Sequence, residues 1–294
     1  MARRRNIPTE VRHFLIHLRL HYQLLVLPGG YLLGSLYSPR IDWMSFFIRF
    51  IAVHVFLNGG LTAYNSFWDK DEGPIGGVKA PPPMTPWMHP ASLLVQLAGL
   101  AIAWPQGPLF IGLYIVTMLL SVAYSWPGLR WKGHPWLSLI AVGIGTGTNT
   151  FLMGYLAAGG AGLSARMAAA AVGVALLLLS LYPVSQVFQI EEDRERGDIT
   201  FAAAYGLAGV IRWFTITYPI GLATACACLY PVRPVLAAAL GVVGLAGFGL
   251  NSLQVRRLTG ADDEYDRVMK LKYGASLSFV GFLVICLGWI RSGG

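Results

Sequence analysis

The sequence predicts an all-α, polytopic membrane protein of about nine transmembrane helices around a central cavity that opens to the cytoplasmic side. Three observations predict it. Of 294 residues 55% are hydrophobic and only 12% charged, whereas a soluble domain usually has about 25% charged residues. Nine apolar runs approach the roughly 20 residues that a helix needs to cross a hydrocarbon core of about 30 Å. These runs are continuous rather than alternating, and a lone segment in lipid must satisfy its own backbone hydrogen bonds, which selects helix over strand.

The first run, residues 14 to 37, follows the basic stretch MARRRNIPTEVR. It is too long for a signal-peptide core and lacks a small-residue cleavage site, so it reads as a retained span. The second covers residues 44 to 64 and contains His54, a polar group expected to be buried against another helix. The third and fourth cover 88 to 104 and 106 to 126, joined by the short, neutral WPQGP. The fifth covers 136 to 158; its Gly143, Gly145 and Gly147, like Gly59 and Gly60 in the second, suit close helix packing. The sixth to ninth cover 166 to 189, 209 to 229, 234 to 251 and 273 to 290. Cys226, Cys228 and Cys286 fall inside spans without metal-ligand spacing and read as packed or lipid-facing thiols. The whole chain, 1–294, is one membrane domain: two similar halves, roughly 14–126 and 136–251, plus a ninth helix at 273–290.

With the N-terminus cytoplasmic and nine alternating spans, 17 of the 22 Lys and Arg residues lie inside. This is the positive-inside pattern, and it accounts for the net charge of +8 without a nucleic-acid partner. Acids are not governed by that rule, yet only Asp42 of the 14 Asp and Glu residues falls outside. Chemistry therefore belongs on the inner face. Loop polarity and the lack of a transit peptide point to the inner membrane of a bacterial-type cell. The loop RRLTGADDEYDR, by contrast, reads as ordinary solvated chain.

Two inner segments share a pattern. Asn65 and Asp69, four residues apart, share a helix face at the end of the second span, and Asp71 and Glu72 follow. Gln189 and Asp193 repeat that spacing after the sixth span, with Glu192 on nearly the same face. Carboxylates at a helix C-terminus oppose the helix dipole, so their placement implies a compensating cation or substrate. Hard cations such as Mg2+ take oxygen ligands and keep sites for water and phosphate oxygens, which two amide-plus-carboxylate clusters can serve. Between them lie Arg130 and Lys132, suited to gripping phosphate. Arg19 is a further basic residue near the same face.

Asn65-x-x-x-Asp69, Tyr124-Ser125-x-Pro127-x-x-Arg130-x-Lys132 and Gln189-x-x-x-Asp193-x-x-x-Gly197-x-x-Thr200, in this order after spans two, four and six, resemble the UbiA superfamily of intramembrane prenyltransferases. The resemblance covers nearly the whole chain. It implies nine helices and a reaction in which two Mg2+ ions, bridged by diphosphate, help an isoprenyl diphosphate lose its diphosphate, so that the allylic cation alkylates an acceptor, often an aromatic ring of the quinone-precursor kind. It assigns Asn65, Asp69, Gln189 and Asp193 to the metal-diphosphate site, with Asp71, Glu72 and Glu192 making up missing charge. Arg130 and Lys132 fall to the leaving group; outside the resemblance, Arg19 near the cytoplasmic end of the first span is a candidate either to reach the diphosphate or to anchor at the inner leaflet. The sequence departs from the family pattern at Ser66, Gly73 and Gln189, where Asp is usual.

The chemistry asks for the same things independently. Ionising an allylic diphosphate needs cations and donors at the leaving group and a dry, polarizable wall around the carbocation. Trp68, Tyr124, Phe151, Tyr155 and Phe188 are the aromatic candidates for that wall. The isoprenyl tail would lie toward membrane lipid, while the acceptor enters from the inner leaflet or the cytoplasm. Two rival readings are a membrane terpene cyclase of the same fold, which needs no acceptor, and a transporter, which would place ionisable groups nearer the bilayer midplane.

Overall fold

The computed structural model describes residues 7–70 and 73–293. Short helices α1 (Ile7–His17), α2 (Leu20–Leu25) and α3 (Gly29–Ser35) come first. They are followed by α4 (Trp43–Asp69), α5 (Met88–Ala103), α6 (Pro108–Ser125), α7 (Pro135–Ala157) and α8 (Ala165–Glu195). The chain closes with α9 (Phe201–Leu229), α10 (Pro234–Val255) and α11 (Tyr265–Arg291). Among the described residues there is no strand beyond one isolated bridge between Ile75 and Val78. Six helices are long and apolar enough to cross a membrane: α4, α6, α7, α8, α10 and the Asp262–Arg291 segment that includes α11.

The other three expected spans take different forms. Residues 14 to 37 are divided into α1, α2 and α3, because Arg19 adopts the left-handed conformation (φ 48°) and Pro28 cannot donate the hydrogen bond that would continue a helix. Helix α5 has 16 residues, a length of about 24 Å at 1.5 Å per residue. Helix α9 bends where Gly206 (φ 61°) leaves helical geometry, and it contains Pro219.

The helix starts follow local chemistry. The Asp42 carboxylate accepts from the Ser45 amide (3.1 Å), and the Ser164 hydroxyl accepts from Met167 (3.2 Å). Pro108, Pro135 and Pro234 occupy first turns, where a missing N–H costs nothing. Two helices widen into π-turns, α4 at Ala52–Asn58 and α7 at Gly143–Asn149, and α8 tightens into 3₁₀ geometry at Pro183–Gln189. Each irregularity changes which face the following residues present.

The largest buried cluster joins α3, α4, α6, α7, α8 and α9 around Tyr31, Phe46, Tyr114 and Phe151. Its tyrosines have no water to bond, so each finds a backbone carbonyl: Tyr31 that of Phe46 (2.8 Å), Tyr37 that of Ala225 (2.6 Å) and Tyr114 that of Gln96 (2.9 Å). His54 is fully buried, with its ring against Phe50 (centroids 4.5 Å apart) and Asn58, as expected of a polar group in a span. Helices α3 and α7 meet at glycines: a Cβ on Gly34 would collide with the Phe151 carbonyl, and one on Gly154 with that of Tyr31. A second cluster packs the charged end, with Val184, Val187, Phe201, Val255 and Leu271.

Two loops brace that end. Residues 73–87 connect α4 to α5, with the His17 imidazole bonded to the Pro82 carbonyl (2.8 Å) and Lys79 paired with Asp266 (3.0 Å). The RRLTGADDEYDR loop is more than solvated chain: buried Glu264 accepts from the Thr259 and Gly260 amides (2.8 and 2.9 Å) and from Arg267 (3.1 Å).

The α3–α7 contact generates a stability prediction. Gly154→Val should destabilise the protein by about 1–3 kcal/mol or more through overpacking. Gly281→Ala on α11, where a Cβ meets nothing within 4 Å, should be neutral or stabilising by up to about 1 kcal/mol. Thermal unfolding of both variants in one detergent checks the contrast.

Candidate active site

A cavity of about 730 Å³ occupies the bundle. Most of its wall is apolar, including Val26, Leu120, Val174, Leu222 and Phe279, while its charged end carries Arg19, Asn65, Asp69, Lys132, Gln189 and Asp193. The residues singled out on α4 and α8 therefore converge, although more than a hundred positions separate them in the chain.

The loop of residues 126–134 joins the two sides. The Lys132 ammonium pairs with Asp69 at the end of α4, both side chains being largely buried. Lys132 also interacts electrostatically with Asp193. Arg130, left-handed at φ 43°, donates through Nε and Nη2 to the two oxygens of Asp198 (2.8 and 2.7 Å). This fork raises the guanidinium above its usual proton affinity, chiefly through the hydrogen bonds to Asp198. The Ile199 amide donates to the Gly133 carbonyl (2.9 Å), and a Cβ on Gly133 would press on the Asp198 carboxylate at 2.5 Å. Glycine at 133 thus permits the close approach.

Asp69 stands at a helix C-terminus, as expected, and Lys132 supplies the compensating charge. Asp193 does not share that placement. The 3₁₀ segment ends at Gln189 and a short helix restarts at Ile190, so Asp193 lies in a first turn, where the dipole favours negative charge. Pro183 at the start of the 3₁₀ segment disrupts the regular helical spacing, yet Gln189 and Asp193 both still line the cavity.

Several atoms keep bonding capacity. Asn65 donates its amide to the Ser125 hydroxyl (3.1 Å), and Asp193 accepts at Oδ2 from Thr200 (2.8 Å). Among the described residues, Asn65 Oδ1, Asp69 Oδ2 and Asp193 Oδ1 accept no hydrogen bond. No three His, Cys, Asp or Glu side chains converge among the described residues, so carboxylates alone do not build a closed ion cage there. Two amides and two carboxylates on one wall fit a hard cation that takes its other oxygens from substrate and water.

Other expected residues lie elsewhere. Arg130 is absent from the cavity wall, its guanidinium being held by Asp198. Glu192 also lies off the wall and pairs with Arg196 (2.7 Å); Gln189 itself is non-helical (φ −116°, ψ 11°) where the helix restarts, which breaks the register expected between the two. Asp71 and Glu72 lie outside the described residues. Arg19 does reach the wall and donates to the Ser66 hydroxyl (2.8 Å), which the left-handed break before α2 makes possible. Of the aromatic residues, Tyr124 and Phe188 line the cavity, whereas Phe151 and Tyr155 belong to the buried core and Trp68 packs against His89.

Asp198 and Tyr182 were not singled out in the sequence. Tyr182 shares a hydrogen bond with the Tyr124 hydroxyl (2.9 Å) on the cavity wall. Asp198 follows Gly197 in the turn after α8, and that Gly-Asp pair was its only signal. The bidentate fork predicts coupling. Arg130→Met and Asp198→Asn should each lower thermal stability, and the double variant should lose less than their sum, by about 0.5–3 kcal/mol. Additive melting-temperature losses would show that the pair does not organise the loop.

No curated protein sequence matches the chain. Solved structures do. A UbiA homolog from Archaeoglobus fulgidus bound to DMAPP and Mg2+ superposes with a TM-score of 0.65 at 16% identity, covering 91% of this chain and 99% of that one. The same homolog bound to GPP and Mg2+ gives 0.65 at 15% identity, covering 92% and 99%. The apo UbiA homolog from Aeropyrum pernix K1 gives 0.62 at 19% identity, again covering 92% and 99%. At such identities the likeness speaks for the fold. The model of the UbiA prenyltransferase family matches residues 25–274, most of the sequence, and the chain belongs to that family.

Proposed function

We propose that the protein is a Mg2+-dependent prenyltransferase that moves an isoprenyl group from its diphosphate to a lipophilic, aromatic acceptor of the quinone-precursor kind. One observation carries this reading: Asn65, Asp69, Lys132, Gln189 and Asp193 share the charged end of a cavity whose remaining wall is apolar. That division matches a substrate with a diphosphate head and a hydrocarbon tail. The Archaeoglobus fulgidus homolog, bound to DMAPP or GPP with Mg2+, supports the choice of donor and metal. In this reading the bundle has nine spans in two similar halves, 14–126 and 136–251, plus a last helix, and the cavity faces the cytoplasm of a cell with its N-terminus inside.

In the proposed reaction the donor's head lies between the α4 and α8 clusters and its tail along the apolar wall. Divalent ions held at Asn65, Asp69, Gln189 and Asp193, two of them if diphosphate bridges them, would neutralise charge on the departing diphosphate. Lys132 stands beside Asp69 ready to donate to a leaving-group oxygen, and Arg19 adds a second positive centre on the wall. Asp198 keeps Arg130, and through it the loop bearing Lys132, in place. Tyr124 and Phe188 offer π-faces to an allylic cation, and the apolar wall keeps water from capturing it. The acceptor ring attacks the allylic carbon and afterwards loses its ring proton.

Purified protein supplied with Mg2+ and a panel of isoprenyl diphosphates, with and without aromatic acceptors, tests the proposal through released diphosphate and product mass. Acceptor-dependent release with an adduct mass is expected; acceptor-independent release with a hydrocarbon or alcohol product would mean cyclisation or hydrolysis. Asp69→Ala and Asp193→Ala should each reduce turnover by at least about a hundredfold, the scale set by losing a preorganised charged group. Because Ala at 69 leaves the buried Lys132 charge uncompensated, Asp69→Ala combined with Lys132→Met should melt higher than Asp69→Ala alone and be equally inactive. Full turnover in either single variant would remove the metal-site assignment.

A further inference from the structure

At the charged end of the cavity, basic residues are matched by acids, as Lys132 is by Asp69, Arg130 by Asp198 and Arg267 by Glu264. The opposite end of the bundle is different. There α4, α8 and α10 begin and α11 ends, and the connection between α3 and α4, residues 36–42, gathers four arginines. Arg40 belongs to the connection itself. Arg233, at the start of α10, donates through Nε to the Leu36 carbonyl (3.1 Å) and through Nη2 to those of Ser38 and Pro39 (3.2 and 3.3 Å). The Arg291 guanidinium, at the end of α11, lies 5.6 Å from the centre of the Trp43 ring. Arg166, in the first turn of α8, acts electrostatically on Tyr37.

Among the described residues, no carboxylate lies within ion-pair distance of any of these four. Asp42, the acid of this connection, uses its carboxylate on the Ser45 amide (3.1 Å). The carbonyls around Arg233 satisfy its N–H groups but carry no net charge. Arg49, about two turns into α4, deepens the excess: it is 9% exposed, its Nε has no hydrogen-bond partner, and among the described residues no carboxylate pairs with it. Like charges gathered at the edge of a low-dielectric bundle raise one another's energy until a counter-charge arrives. Guanidinium forks match the oxygens of phosphate. The chemistry of the neighbouring turns narrows the anion further. Just beyond the arginines, Met44 and Phe47 on α4, Val235 on α10 and Ile285 on α11 are exposed. An anion that carries hydrocarbon fits both parts of this surface.

We propose that Arg40, Arg166, Arg233 and Arg291 form a site for the phosphate of an anionic phospholipid, in the leaflet opposite the charged end of the cavity. Basic clusters beside span ends attract anionic lipid headgroups, and here the cluster is assembled from four separate segments. Arg233 is fixed by the carbonyls it holds, while the exposed Arg40, Arg166 and Arg291 close on the headgroup. The acyl chains lie along the apolar turns beside them. A phosphate shared in this way ties the 36–42 connection to the starts of α8 and α10 and to the end of α11, the task that a buried acid performs at the other end of the bundle. The inference is independent of the reaction carried out in the cavity.

The test titrates the full-length protein in a neutral detergent with phosphatidylglycerol, phosphatidylcholine or inorganic phosphate, reading bound lipid by native mass spectrometry and stability by thermal unfolding. Three variants are compared with the wild type. One combines Arg40→Gln, Arg166→Gln and Arg291→Gln, leaving Arg233 to hold its carbonyls; a second places Lys at the same three positions. The third removes the same charge from the other end through Arg256→Gln, Arg257→Gln and Lys270→Gln, all at exposed positions. Phosphatidylglycerol should bind the wild type and raise its melting temperature, whereas phosphatidylcholine and inorganic phosphate should not. The first variant should bind phosphatidylglycerol at least about tenfold more weakly, the scale of losing several arginine contacts with an anionic lipid, yet without lipid it should melt no lower than the wild type, because repulsion has been relieved. The Lys variant should keep part of the affinity, and the third variant most of it. Equal stabilisation by phosphatidylcholine or by inorganic phosphate, unchanged affinity in the first variant, or an equal loss in the third would each overturn the proposal. A first variant that melts below the wild type in the absence of lipid would overturn it as well, since the arginines would then serve the fold alone.

Discussion

Charge in the low-dielectric interior of a helical bundle must be paired, and here the pairing is done by one loop. Residues 126–134 send Lys132 to Asp69 on one side and Arg130 to Asp198 on the other. The carboxylates come from segments far apart in the chain, so the loop fixes the distance between the α4 and α8 clusters and with it the shape of the charged end. Breaking a buried pair by removing one partner typically costs about 3–5 kcal/mol, because the remaining charge stays desolvated. Asp69 and Lys132 are buried enough for that penalty to apply. In the pair the acid and the base satisfy each other.

Irregular helix geometry does the rest of the positioning. A straight helix in lipid satisfies its own backbone and offers side chains at fixed intervals. Departures from it occur at the left-handed turn at Arg19, the π-turns of α4 and α7, the 3₁₀ stretch before Asp193 and the bend at Gly206. Each frees or redirects backbone groups that neighbouring helices must then accommodate. The large buried cluster, in which tyrosine hydroxyls bond to backbone carbonyls, supplies a rigid frame for this.

The cavity is polar at one end and apolar along its length, which is how a protein holds an amphipathic substrate without solvating its tail. Two polar walls line it. One presents oxygens and a lysine already paired with one another; the other presents Lys272 over the Tyr22 ring and the buried Asn251 amide, which among the described residues has no hydrogen-bond partner.

The sequence by itself determined that the chain is helical and membrane-embedded, because hydropathy and charge density act through composition and local run length, and these are read residue by residue. It also singled out Asn65, Asp69, Gln189 and Asp193, legible because polar side chains in apolar surroundings stand out at recognisable spacing, and the structure gathers them on one cavity. What only the tertiary structure decided is which charge meets which. Arg130 is held by Asp198, and Glu192 pairs with Arg196 off the cavity wall, past the break at Gln189. The broken first span brings Arg19 to the wall, and the pairing of α10 with α11 brings Lys272 and Asn251 there. Coulombic pairing and helix register depend on distances between segments remote in sequence. Local composition does not encode those distances; the packed bundle does.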